Sequence, residues 1–536
     1  MEDQMKNICV IGLLVIALLA AGCSTWRGKK QRPELDFYVG GETATAYENY
    51  IPIVAMEAPM PEMNTDEFAA IEPNRFQRAD LQPLSTFSID VDTGGYSIVR
   101  KFLNDNELPP ANAIRSEELI NYFSYDYPKP DGKHPFSVYT ELASCPWNDQ
   151  HQLVHIGLKG MELETKDLPS SNLVFLIDVS GSMDEPNKLP LVQSSLSMLT
   201  DQLRENDYVS IVVYAGAAGL VLPPTSGMHK DKIKKALYDL EAGGSTAGGE
   251  GIQLAYKTAA DNLIKEGNNR VILCSDGDFN VGISSTAELV DYAKKQRDSG
   301  IFISILGYGM GNYKDNRMEQ IANQGNGNYA YIDDILEAKK VLVNEMSGTL
   351  LTIAKDVKIQ VEFNPAVVGA YRLIGYENRM LQAEDFKDDT KDAGEMGAGH
   401  SVTALYEIIT LESGENLPDI DSLRYAKPAV PADASTAEML FVKLRYKLPD
   451  GDESIPLDQP LPNKSLPWQE SSQNFRWAAA VAVYSMLLQE NPNQGMADWD
   501  LVMSLAKSSK GEDPNGYRAE FIRLAEKASL MKPIPK

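Results

Sequence analysis

The sequence predicts an α/β protein: a doubly wound parallel sheet inserted in a β-sandwich region, with a small α-helical domain at the C-terminal end. Three observations carry this expectation. From about residue 172, apolar runs alternate with amphipathic stretches, the signature of strand–helix–strand crossovers. Strand-like runs stand on both sides of that unit, and neither set is large enough to bury a face alone. Beyond residue 475 apolar residues recur at helical spacing, on more than one face.

Taken in order, residues 1–22 read as a lipoprotein signal peptide. The apolar run 8–21 is shorter than the ~20 residues of a spanning helix and ends in small residues. Its end, Ala20-Ala21-Gly22-Cys23, resembles a bacterial lipobox, which implies cleavage before Cys23 and acylation of that cysteine. The acidic start Met1-Glu2-Asp3 departs from a positive leader, which Met5-Lys6 would restore. Residues 23–74 are rich in Pro, Glu, Ala, Thr and Met without periodicity and read as a flexible linker. Its Arg27, Lys29, Lys30 and Arg32 would lie beside the lipid surface.

Residues 75–165 form an N-terminal flanking region, with helical patterns at 95–104 and 116–123 and strand-like runs at 135–142 and 152–158. The doubly wound unit occupies 170–348. It carries strands ending at 178, 214, 274 and 306 and helices at 230–240, 251–265 and 286–297. The β-sandwich region, 354–460, contributes strands 357–363, 401–411 and 439–448. Residues 468–536 form the helical domain, with helices at 475–489, 498–507 and 517–529.

A chain of 536 residues is too long for one core. Its net charge of −26 repels nucleic acid and favours metal cations or basic partners. No Gly-x-x-x-x-Gly-Lys-Ser/Thr and no Gly-x-Ser-x-Gly occurs, which removes a P-loop nucleotide site and a serine nucleophile elbow. With Cys9 in the signal and Cys23 acylated, Cys145 and Cys274 remain, and a bridge between them is not expected.

The most informative stretch is Leu173-Val-Phe-Leu-Ile-Asp178-Val-Ser180-Gly-Ser182, an apolar strand ending in a carboxylate and two hydroxyls at alternate positions. In extended chain these three groups share one side, and oxygen is what a hard divalent cation takes. Thr246, in the Gly-rich loop 243–249, adds a third hydroxyl ahead of a helical pattern, and Asp276 ends a second apolar run, 270–276. In a doubly wound sheet such strand ends are where ligands sit.

At these residues the chain resembles the von Willebrand factor type A domain, Rossmann-like in fold, and its metal-ion-dependent adhesion site. The stretches 307–315 and 325–333 look like the late part of that domain as found in bacterial lipoproteins. Residues 83–93, 120–128, 370–379 and 392–400 are similar to the regions flanking it there. The resemblance implies that Ser180, Ser182 and Thr246 supply hydroxyl ligands, with Asp178 and Asp276 acting directly or through water. The ion would be Mg²⁺, with Mn²⁺ or Ca²⁺ as alternatives, and an acidic side chain of a protein partner would complete the shell. Lipidation implies a bacterial cell envelope location, the outer membrane favoured over the inner.

Other constellations carry less. His151 and His155 lack the intervening Glu of a zinc protease helix. Gly307-x-Gly309-x-Gly311 lacks dinucleotide spacing and reads as a turn. Asp90 and Asp92 read as a strand-end turn, and the acidic residues between 384 and 392 as a solvated loop. The functional expectation is a membrane-anchored, divalent-metal-dependent protein-binding module that is not an enzyme. The rival readings are a metal-assisted hydrolase and a domain whose ion is purely structural.

Overall fold

Strand alternation in the flanks and unbroken apolar strands in the middle build three sheets among the described residues. The computed structural model describes residues 71–89, 92–163, 168–215, 217–244, 248–277, 286–309, 315–346, 348, 351–391, 393–418, 435–449 and 451–532. All fall within the unit Glu62–Lys536. The signal segment, Cys23 and nearly all of the linker lie outside the described residues, as do Asp90 and Asp392.

The flanks form the sandwich. Strands β1 (Gln77–Arg78), β2 (Leu84–Ser88), β3 (Phe136–Cys145) and β4 (Asn148–Gly160) precede the middle unit. Strands β11 (Thr352–Phe363), β12 (Val368–Ile374), β13 (Met380–Leu381), β14 (Gly394–Gly397), β15 (Ser401–Thr410), β16 (Glu438–Lys447) and β17 (Ile455–Pro462) follow it. One antiparallel sheet runs β1-β12-β15-β4-β3 and the other β13-β2-β11-β16-β17, so each sheet mixes strands from both sides of the insertion. Val154, Ile156 and Leu158 of β4 meet Ile359, Val361, Val442 and Leu444 of the opposite sheet in one core. The outer strand β17 alternates in exposure and carries Pro456, Pro460 and Pro462, residues that blunt an unpaired edge.

The other face of β4 and β15 is buried too. Helices α1 (Gly94–Asn104), α2 (Ser116–Asn121), α9 (Gln473–Gln489), α10 (Trp499–Ser509) and α11 (Tyr517–Met531) form a layer over it. Enclosure by sheet and helices explains why α9 is apolar all round: thirteen of its seventeen residues are buried. Among the described residues no helix is long and apolar enough to cross a membrane.

The middle unit comprises β5 (Ser171–Asp178), α3 (Leu189–Gln202), β6 (Tyr208–Tyr214), β7 (Ala218–Ser226), α4 (Lys230–Tyr238), α5 (Gly248–Asp261), β8 (Asn268–Ser275), α6 (Thr286–Arg297), β9 (Phe302–Tyr308), α7 (Asp315–Gln324), β10 (Tyr329–Ile332) and α8 (Ile335–Lys339). Its sheet order is β10-β9-β8-β5-β6-β7, parallel except for β7. Residues 173–177 of β5 are fully buried, as a parallel strand covered by helices on both faces requires. The insertion leaves after β4 and returns at β11, and one turn holds both legs. Gly399 N donates to Met161 O (2.9 Å) and Ala398 N to Leu351 O (2.9 Å).

Buried charges bind the inserted domain to the helical layer. The Arg100 guanidinium of α1 donates to Asp333 and, at 2.8 Å, to Glu337 of α8. Arg115 pairs with Glu118 and with Glu319 of α7 at 2.6 Å, and Arg379 bridges Asp92 and Glu319. Asp92 also accepts from Tyr329 N (3.0 Å), so this position caps an interdomain contact. The acidic stretch 384–391 is likewise more than a solvated loop: Lys358 and Lys447 donate to its backbone carbonyls, and Arg445 pairs with Asp389.

Candidate functional site

Strand β5 lies at the point where the sheet order reverses, with β6 and β7 on one side and β8, β9 and β10 on the other. The crevice beyond its carboxyl end is the ligand position of such sheets. Asp178, the last residue of β5, pairs in register with Tyr214, the last of β6. Met183, fully buried, anchors the 3₁₀ turn Gly181–Met183 that follows.

Within this turn the Asp-x-Ser-x-Ser groups converge. Ser180 N donates to Asp178 Oδ1 (2.9 Å), and the Ser180 and Ser182 hydroxyl oxygens lie 3.0 Å apart. Asp178 and Ser180 are buried, whereas Ser182 faces outward. Asp276, one residue past β8, is also buried and is followed by Gly277 at φ +96°, a left-handed conformation suited to glycine. Thr246 lies outside the described residues. The loop leading to it is tied to the Ser180 turn: Gly243 N donates to Val179 O (2.8 Å) and Gly181 N to Gly244 O (3.1 Å).

Burial sets the electrostatics of this cluster. Asp178 Oδ2 is buried and makes no well-formed hydrogen bond, although the Tyr214 hydroxyl is near enough to favour its charge slightly. Burial pushes the Asp178 carboxyl up to about 6, and the negative charge of Asp276 adds to this. The Ser180 amide and hydroxyl offset part of the effect. A buried carboxylate with an unused oxygen, two adjacent hydroxyls and a second buried carboxylate fits a hard, oxygen-seeking divalent ion. Among the described residues no group of three or more His, Cys, Asp or Glu side chains is arranged to hold a metal ion.

Sequence reasoning missed Lys188. Its Nζ donates to Ser182 O (3.0 Å) and lies 3.3 Å from Asp276 Oδ2. The available signal was a lysine at the N-cap of α3, where the helix dipole disfavours positive charge.

The discounted residues have other partners. His151 bridges Glu407 and Glu415, and His155 Nε2 meets the Tyr127 hydroxyl (2.5 Å). Cys145 and Cys274 are free, buried and in separate cores.

Comparison with known proteins assigns the regions of the chain to families. The von Willebrand factor type A domain family matches residues 172–344, a family described as von Willebrand factor matches 62–155, and the family "Uncharacterized protein YfbK, C-terminal" matches 348–531. The uncharacterized protein YfbK of Escherichia coli (strain K12) is 46% identical over 473 residues, 87% of this chain and 81% of that protein. The chain belongs to the YfbK family of von Willebrand factor type A proteins. The uncharacterized protein sll0103 of Synechocystis sp. is 30% identical over 215 residues, 40% of this chain and 50% of that one. Among solved structures, von Willebrand factor type A from Catenulispora acidiphila covers 77% of this chain and 100% of its own at 14% identity, with a TM-score of 0.39. The family assignment carries the Rossmann-like domain, its flanking sheets and the helical C-terminal region together.

Proposed function

We propose that this protein is a membrane-anchored, divalent-metal-dependent binding module that captures a partner protein through an acidic side chain. The observation that carries the reading is the buried, unused Oδ2 of Asp178, set at the switch point of the sheet beside Ser180, Ser182 and Asp276. Asp178, Ser180, Ser182 and Asp276, with Thr246, would hold a Mg²⁺ ion. Bound there, the ion supplies an electrophilic position for an incoming carboxylate oxygen.

Binding is favoured over catalysis by what the site's own residues offer. Hydroxyls are weak bases at neutral pH, and Asp178 and Asp276 would be engaged as ligands. His151 and His155 are engaged elsewhere in the sandwich. Anchoring rests on the apolar run that ends at Cys23, which would place the body at the bacterial cell envelope.

Pull-down from native membranes tests the reading. A partner should be captured in Mg²⁺, released by EDTA, and lost with Ser180→Ala plus Ser182→Ala while the fold persists. A partner retained under all three conditions would place binding on another surface.

A further inference from the structure

We propose that Lys188 is a built-in second cation of the strand-end site, one that lowers its metal affinity and makes an anionic ligand necessary to complete it. This rests on the metal-dependent reading above and goes beyond it by assigning the source of the preference for an acidic partner.

The placement of Lys188 is specific and costly. The residue is 8% exposed, so an ammonium has been taken largely out of water, at a helix start that repels positive charge. Its stem is held in a fitted channel: a Cβ added at Gly309 would lie 2.5 Å from Lys188 Cε and 2.9 Å from Cγ. Gly309 sits at φ +70°, and its carbonyl accepts from the Tyr331 hydroxyl (2.9 Å), so the channel floor is fixed. The ammonium is thereby directed to Ser182 O and Asp276 Oδ2, on the residues that would hold the ion. Glu185 Oε1, 3.4 Å from Nζ, is half-exposed and screened by solvent.

Charge counting gives the consequence. Asp178 and Asp276 together carry two negative charges, enough to neutralise a divalent ion by themselves. Lys188 cancels one of them, so a site holding both Lys188 and a divalent ion has one excess positive charge. A neutral ligand leaves that charge in place, whereas a carboxylate removes it. Lys188 therefore trades affinity for the ion alone against dependence on an anionic partner, and by linkage the anion must strengthen metal binding in turn.

The test is Mn²⁺ titration of the full chain by calorimetry, with and without acetate at constant ionic strength set by chloride. Lys188→Met keeps the stem and removes the charge, and Lys188→Arg keeps the charge. Lys188→Met is expected to bind Mn²⁺ at least about tenfold more tightly than wild type. Acetate should tighten Mn²⁺ binding by wild type and Lys188→Arg and leave Lys188→Met unchanged. Thermal melts in EDTA confirm that each variant is folded, and Lys188→Gln replaces Lys188→Met should the latter not fold. Equal Mn²⁺ affinity of wild type and the neutral variant, or an equal acetate effect on both, overturns the proposal and leaves the metal-dependent reading standing. An Arg variant that binds as tightly as the neutral one overturns it too, since the stem and not the charge would then set affinity. Absence of Mn²⁺ binding in every chain overturns the metal-dependent reading and this proposal with it.

Discussion

Arg100 Nη1, in a helix before the inserted domain, lies 3.1 Å from Glu520 Oε1 in the last helix of the described chain. The same guanidinium holds Asp333 and Glu337 of the inserted domain and the Tyr122 hydroxyl. One buried cation therefore joins the flanking helices, the helical C-terminal region and the domain that carries the site. The surrounding carboxylates hold Arg100 well above its usual range against the cost of its burial.

Removal of that cation leaves buried carboxylates uncompensated. Arg100→Met should lower stability by about 3–5 kcal/mol, the cost typical of breaking a buried ion pair from one side. Urea unfolding followed by tryptophan fluorescence measures this. A change below about 1 kcal/mol would mean that the cluster contributes little.

His155 sets an acid limit. Burial holds its imidazole neutral, with the pKa lowered to about 3 from an ordinary 6.5. The folded state thus refuses a proton that the unfolded chain accepts between these values. Stability contributed by neutral His155 is complete above pH 6.5 and is lost as pH falls toward 3, at about 1.4 kcal/mol per pH unit. His155→Phe, which leaves Tyr127 its Thr403 partner at 2.7 Å, should flatten this part of the pH–stability curve. An unchanged acid slope in the variant would assign the loss to other groups.

The buried Asp178 carboxylate should cost stability when no ion is bound. In EDTA at pH 7, Asp178→Asn is expected to melt higher than wild type, a gain of about 1–3 kcal/mol from removing a poorly compensated buried charge. In Mg²⁺ the order should reverse. Calorimetry should show one Mg²⁺ or Mn²⁺ bound by wild type and weaker binding by Asp178→Ala. Equal binding by both chains would exclude Asp178 as a ligand.

Acylation at Cys23 is tested by labelling. In a bacterial host, radiolabelled palmitate should enter the wild-type protein, and Cys23→Ser should block both labelling and signal cleavage. Label entering the Cys23→Ser protein would place the lipid elsewhere or remove it.

The sequence made the strand ends legible because burial and chemistry change together there: Asp178 and Asp276 each terminate a run of apolar residues that parallel pairing buries on both faces. The sandwich was legible from strand-like runs on both sides of the insertion, as at β4 and β16. Strands β7 and β10 escaped notice, β7 because Pro223 and Pro224 interrupt an exposed edge, β10 because four residues carry no periodicity. Helix α3 was missed because Pro190 and its serines obscure the pattern. The charge clusters around Arg100 and Arg115 were not legible, since Asp333, Glu337 and Glu319, which tie them to the inserted domain, lie more than two hundred residues away and become neighbours only once the chain is folded. Lys188 belongs to the same class: its meaning depends on Asp276 and Gly309, brought to it by strands β8 and β9.

The two-legged attachment of the inserted domain has a mechanical consequence. Both legs, at Met161 and Leu351, are fastened to adjacent residues of one turn, Ala398 and Gly399. Load applied to the domain would leave through that turn together with the Arg100 and Arg115 charge clusters. With both of its chain ends held at one place, the domain would move as a block, neither end being free to peel away alone.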